Sequence, residues 1–268
     1  MKKKLGNKTK WNLRCIFCLV PSVLGIAVFF LLPYVRILYY SFINNQFQKK
    51  FVGFRNYREV IENVYFRLAM KNSLLLIGIG VPVLLLLSLL LSLLLSFSMR
   101  KYSFLRDFFI FPMLVPTAAI VLVWREFFAA SSTALPIYAL FVWKNLGFCV
   151  ILLTSALTTI DNDVYEAASL DGARPLRLHL QISIPLIMPS VFFTLLLAIV
   201  NTFKVFKESF LFYASKYPPD HSYTLQYYMN NHFQKFNYQP LAAGSVLTSL
   251  LVLLIVAAGL LVQRRFQS

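Results

Sequence analysis

Apolar residues arrive in this chain as long unbroken blocks, not as the alternation of strands or the stripes of surface helices. Six blocks stand out, at about 16–40, 73–97, 104–128, 135–159, 186–207 and 241–262. A helix crossing about 30 Å of hydrocarbon needs roughly 20 apolar residues, and every block is long enough. The expected fold is all-α: a polytopic membrane protein with six transmembrane helices. Residues 1–15 form a basic tail, and residues 16–268 form one membrane domain. Pro82, Pro112, Pro116 and Pro136 can kink the spans they fall in. Ser88, Ser92 and Ser96 recur every fourth residue in SLLLSLLLS, on one helical face. Small residues at that spacing let membrane helices approach closely, the alternative being a polar lining for a pathway.

One polar segment interrupts the pattern between the fourth and fifth blocks, in DNDVYEAASLDGARPLRLHLQISIPLIMP. Asp163 stands three residues before Glu166, the spacing of a capping box. Val164, Tyr165, Ala167, Ala168 and Leu170 would give a short helix one apolar side, and Gly172 falls where a left-handed cap would end it. Pro175 can open a second short helix, since proline is tolerated in the first turn. Arg174, Arg177 and His179 mark that helix's polar side, and Ile182, Ile184 and Leu186 return the chain to the bilayer through Pro185 and Pro189. The segment, about 161–185, reads as a helix–turn–helix elbow at the membrane surface.

Composition agrees with a membrane chain. Of 268 residues, 59% are hydrophobic and 13% charged, and the mean hydropathy is +0.68; soluble domains are about 45–50% apolar and about 25% charged. The net charge of +16 does not mark a nucleic-acid partner. Its basic residues are scattered through loops, where anionic lipid headgroups are the expected partner. MKKKLGNKTK with Arg14, the loop at 99–106 and Arg264–Arg265 share one side, which the positive-inside rule makes cytoplasmic, with both termini there. The opposing segment carries Lys49, Lys50, Arg55, Arg58, Arg67 and Lys71, so the dense tail and short loops carry that assignment. FVGFRNYREV in this segment reads as a short amphipathic turn and helix.

Soluble catalytic chemistry has no foothold. Cys15, Cys18 and Cys149 provide one C-x-x-C with no second ligand pair, so they read as small apolar filler. His179, His221 and His232 do not fall at ligand spacing, and the glycines form no phosphate-binding loop. The basic start followed by an apolar run lacks a small-residue cleavage site and reads as the first membrane helix. The chain is expected to be no enzyme, with neither metal nor cofactor of its own. Its driving force would come from a gradient or from a partner.

The elbow carries a more specific signal. Glu166-Ala167-Ala168, then Gly172, then Ile182 and Ile184-Pro185 resemble, at fixed spacing, the EAA signature of membrane-spanning subunits of bacterial ABC importers, with isoleucine where leucine is usual. LLPYVRILYYSF, FVGFRNY, FFIFPMLVPTAAIVLVWREFF, VWKNLGF and TFKVFKESFLF resemble, in order, landmarks of carbohydrate-uptake permeases of the maltose-transporter type. The resemblance implies a second, non-identical permease subunit, two cytoplasmic ATPase subunits that bind ATP and Mg, and an extracellular solute-binding protein delivering a sugar. It implies that Glu166, Ala167, Ala168, Asp171, Gly172, Ile182 and Pro185 belong to a coupling elbow docked in an ATPase cleft. Two stretches depart from the family pattern: a short connection between Trp124 and Trp143, and KYPPD at 216–220 in place of glycine-glycine-proline.

Polar residues inside spans are candidates for a solute pathway. These are Asn145, Asn201 and Thr202, with Lys144 and Lys204 behind them, while Lys207 and Glu208 would pair at the interface. Either the lysines snorkel to the interface, or they face the pathway and favour an anionic solute such as a phosphorylated glycerol. A gradient-driven secondary transporter is the competing class, although its usual repeats and midplane carboxylates are not evident.

Overall fold

The computed structural model describes residues 19–101, 104–128 and 131–267. Cys15, Cys18 and the basic tail lie outside the described residues, as does the side chain of Ser96. By internal contacts the chain forms two units, residues 1–63 with 232–249 and residues 64–231 with 250–268.

In the first unit, α1 (Leu19–Ser41) is a spanning-length helix. A tight turn follows, in which the Asn44 and Asn45 side chains accept backbone N–H groups, leading to α2 (Arg55–Glu62). This is the amphipathic helix that FVGFRNYREV implies. Asn56, Tyr57 and Val60 are buried, while Arg55–Glu59 and Arg58–Glu62 pair along the exposed face. The Asn56 amide donates to the carbonyls of Ser41 and Ile43, both at 2.9 Å, which fastens α2 to the end of α1.

In the second unit, α3 (Val64–Leu95) starts well before the expected residue 73. Its polar first turns are tied down at their end: the Asn72 amide donates to the carbonyls of Asp220 and Tyr223, and the Ser73 hydroxyl accepts from the Leu225 N–H. Pro82 does not break α3, because a wider turn at Leu76–Gly80 precedes it and absorbs the missing hydrogen bond. Ser88 and Ser92 are fully buried, and the Ser92 hydroxyl reaches the Val150 carbonyl at 3.2 Å. The serine stripe at those positions is a packing face.

The third expected span is two helices, α4 (Phe104–Leu114) and α5 (Thr117–Phe127), bent by 98° at the break between them. Pro116 supplies the reason: it has no N–H to donate and drives the preceding residue out of helical geometry. Among the described residues, five helices are long and apolar enough to cross a membrane, and the bent pair makes a sixth span if counted as one. Pro112 lies inside α4. Pro136 kinks nothing; it sits in the first turn of α6 (Leu135–Leu157), where its missing N–H is not needed.

The elbow contains α7 (Asn162–Leu170) and α8 (Pro175–Leu178). The fifth span follows as α9 (Met188–Thr202) and α10 (Phe206–Tyr213), separated by one turn. Then come α11 (Leu225–Gln234) and α12 (Tyr238–Gln267). The core of the second unit gathers Leu76, Val81 and Leu84 of α3, Ile137, Phe141 and Cys149 of α6, and Ala198 and Ile199 of α9. α4 crosses α6 at Gly147, where an added Cβ would collide with the Phe109 carbonyl oxygen. A helix backbone cannot yield as a side-chain tip can. Gly147→Ala is therefore expected to destabilise the protein by about 1–3 kcal/mol, the cost of overpacking, read as a lower melting temperature in detergent.

Candidate functional site: the elbow and a polar cavity

The elbow is built by its turn. α7 ends in the αL cap that Gly172 implies: Gly172 has φ +77°, its N–H bonds to the Ser169 carbonyl, and the Ala173 N–H reaches back to the Ala168 carbonyl at 3.0 Å. These are the paired bonds of a Schellman motif, which satisfy carbonyls a helix end leaves open. The start of α7 differs from the capping box expected. Asp161 is the N-cap residue and makes no side-chain cap bond, while Asp163 lies within the first turn. Glu166 is thereby released from any role in closing a capping box.

The helix also presents its residues differently from a one-sided apolar helix. Ala168 is buried and Tyr165 half-buried, but Glu166, Ala167 and Asp171 are exposed and Leu170 is 89% exposed. Tyr165 packs on a cluster of Leu157, Ile160 and Ile187, which joins the end of α6 to the start of the fifth span, with Leu89 and Leu93 of α3 beside it. Its hydroxyl meets that of buried Ser183 at 3.3 Å, closing α7 on the helical turns that follow α8. Ile182 is half-buried and Pro185 exposed. The small size of Ala168 serves the chain's own packing, whereas Glu166, Ala167, Leu170 and Asp171 form the outward face.

The second candidate is a cavity of about 160 Å³ between α4, α6 and the α9–α10 turn, lined by Lys144, Asn145, Asn201, Lys204 and Glu208 with Met113, Phe141 and Phe148. Asn201 donates to the Asn145 side-chain oxygen at 2.9 Å, and Asn145 donates to the Phe141 carbonyl at 2.8 Å. The Lys144 ammonium donates to the Thr117 hydroxyl at 3.0 Å and forms an ion pair with Glu208. A larger groove of about 750 Å³, lined by Ile79, Val83, Tyr138 and Leu146 among others, is almost wholly apolar and offers little to orient a polar solute.

Residues 85–268 match the family model described as binding-protein-dependent transport system inner membrane component. The chain belongs to this family. Among its relatives is a probable ABC transporter permease protein of Mycoplasma pneumoniae, 26% identical over 74% of this chain and 69% of the relative. Another is the arabinooligosaccharide transport system permease AraP of Bacillus subtilis, 25% identical over 88% of this chain and 84% of the relative. The fold is also that of a subunit in the crystal structure of a bacterial ABC transporter importing the acidic polysaccharide alginate. That match has a TM-score of 0.81 at 19% identity, over 99% of this chain and 100% of the other.

The transport component thus brings four of its five expected pathway residues to one cavity: Lys144, Asn145, Asn201 and Lys204. Thr202 does not join them; it is buried, and its hydroxyl donates to the Ile199 carbonyl of its own helix. Lys144 has partners within the protein, Glu208 and Thr117. It sits about 13 Å along α6 from Leu135 at 1.5 Å per residue, with its ammonium held inside the protein. Glu208 pairs with Lys144 and not with its neighbour Lys207, which is exposed. Thr117 was missed, and Glu208 was given the wrong partner. Opposite charges on two different spans were the available signal, since a buried ion in a membrane requires a partner. The aromatic packing around α11 supports the same region, with Tyr227 set edge-on to Phe206 at 4.9 Å. Burial pushes the Tyr227 hydroxyl up to about 12, so it remains neutral.

The Lys144 and Glu208 side chains are only 23% and 11% exposed. Removing one charge leaves the other uncompensated, which for buried pairs costs roughly 3–5 kcal/mol. Lys144→Met alone is expected to lower thermal stability in detergent toward the low end of that range. The double change Lys144→Met with Glu208→Leu should recover most of the loss, a non-additivity that a double-mutant cycle reads directly.

Proposed function

We propose that this chain is one of two membrane-spanning subunits of an ATP-driven importer, that its solute is a sugar or oligosaccharide, and that a separate ATPase drives it through the elbow. In this reading the elbow and both termini face the cytoplasm, ATP and Mg reside in two ATPase subunits, and a solute-binding protein delivers the solute from outside. The second membrane subunit is a non-identical permease. Family membership and the arabinooligosaccharide relative support the transport class. The observation that carries the mechanism is the elbow itself: a rigidly capped helix fastened to the ends of two spans, whose Glu166, Ala167, Leu170 and Asp171 are left exposed by their own chain.

Movement of the ATPase cleft would carry α7 with it. Tyr165 and the Leu157–Ile160–Ile187 cluster would pass that displacement to the fourth and fifth spans together, because packed interiors shift as bodies and do not deform continuously. Glu166 offers a carboxylate to a basic cleft residue, Leu170 offers an apolar contact, and Gly172 permits the turn and a close approach.

The turn and the approach can be separated. A Cβ at Gly172 would meet nothing within 4 Å, so side-chain bulk is tolerated by this chain and only the left-handed backbone resists substitution. Asparagine tolerates that backbone, whereas a β-branched residue is strained there. Gly172→Asn should therefore insert and assemble, yet reduce ATP-dependent uptake by about tenfold, the equivalent of about 1.4 kcal/mol at the contact. Normal uptake by that variant would rule out close docking at the turn. Glu166→Gln should retain basal ATPase activity of the complex while losing its stimulation by solute-loaded binding protein. Uptake should stop on ATP depletion and continue when the proton gradient is collapsed; the reverse would indicate a gradient-driven carrier.

A further inference from the structure

The cavity beside the α9–α10 turn has an unequal supply of hydrogen-bonding groups. Lys144 and Glu208 cancel each other's charge. Asn145 uses its side-chain oxygen to accept from Asn201 and one amide hydrogen on Phe141, leaving an amide hydrogen on each asparagine and the Asn201 oxygen. The Glu208 oxygen that has no partner is itself shut away from the surface. Lys204 lines the same cavity and is exposed, and its side chain makes no hydrogen bond or ion pair among the described residues. Donors therefore exceed acceptors, and one positive charge is left uncompensated. A neutral polyol offers hydroxyls that donate as well as accept, which this lining could only half use. A carboxylate accepts at both oxygens and donates nothing.

We infer that this cavity binds the anionic end group of an acidic saccharide, with Lys204 as the charge-reading residue. The inference rests on the importer reading above and specifies its substrate class. Asn145 and Asn201, locked to each other, line the cavity together with Lys204, so the carboxylate meets amide donors already oriented. Phe141 and Phe148 supply ring surface for the apolar face of the sugar. About 160 Å³ is small beside the roughly 300–1,000 Å³ of pockets that enclose whole ligands. It admits one terminal unit, with the remainder of the molecule lying outside it.

The test uses the assembled complex, this chain with its second membrane subunit and ATPase, in phosphatidylcholine nanodiscs. Equilibrium binding of digalacturonate is compared with that of its neutral counterpart, galactobiose. Digalacturonate should bind about tenfold more tightly, the scale of one charge-assisted hydrogen bond. Lys204→Gln should erase that preference, Lys204→Arg should preserve most of it, and Lys207→Gln, which removes a nearby exposed charge outside the cavity, should leave it in place. Equal binding of the two disaccharides by the unsubstituted complex, or an undiminished preference in Lys204→Gln, would overturn the inference. So would loss of digalacturonate binding when phosphatidylglycerol is added to the disc, which would assign the cavity to a lipid headgroup. ATP-driven uptake in proteoliposomes supplied with the solute-binding protein separates the two levels: galactobiose uptake equal to that of digalacturonate removes only the substrate class, and uptake that follows an ion gradient and ignores ATP removes the importer reading too.

Discussion

A backbone N–H or C=O in hydrocarbon has no water to bond with, and leaving it unpaired costs several kcal/mol. That constraint makes this chain a set of helices, and it also explains where the helices stop being regular. Each interruption has a local means of satisfying the backbone. At Pro116 the lost donor is the one proline never had, and the chain restarts as α5 with a 98° change of direction. Before Pro82 a widened turn takes up the mismatch without breaking α3. At the elbow, Gly172 adopts the left-handed conformation and returns two N–H groups to the carbonyls of Ser169 and Ala168. The irregular places are also the ones that bear on function, since a continuous helix could neither turn outward to meet a partner nor open a cavity.

Charge obeys the same constraint. Lys144 lies well inside α6, and its ammonium is held by Glu208 and Thr117 from α10 and α5. This pair binds the second half of the bent span, the middle of the fourth and the end of the fifth at one point. Such a pair contributes little net stability over a well-packed apolar substitute. What it does supply is registry, because only one mutual placement of the three helices brings the groups together. Among the described residues it leaves Lys204 as the charged group in the cavity lining without an ion pair.

Elbow and cavity are connected by the same two spans. α6 carries Lys144 and Asn145 at one level and Leu157 at its elbow end, while the fifth span begins at Ile187 beside the elbow and reaches Asn201 and Lys204. α6 is continuous helix from Leu157 to Lys144 and α9 from Met188 to Asn201, while Lys204 lies in the turn between α9 and α10. In the proposed mechanism a displacement applied at α7 would reach both walls of the cavity along these two helices.

Much of this was legible from residues close together in sequence. The six apolar blocks, the elbow with its two short helices and the role of Gly172 follow from local pattern, because span length, proline placement and the αL preference of glycine act within a few residues. The family signature in EAASLDG is local for the same reason. Other features needed the folded chain. Asn145 finds Asn201 across 56 residues and Lys144 finds Glu208 across 64, pairings set by which helix faces meet. The inward turn of Ala168 and the exposure of Leu170 depend on how α7 rests on the spans, and periodicity alone assigned both to one face. Local chemistry determined where the chain bends and caps; only tertiary packing decided which charge finds a partner and which has none among the described residues.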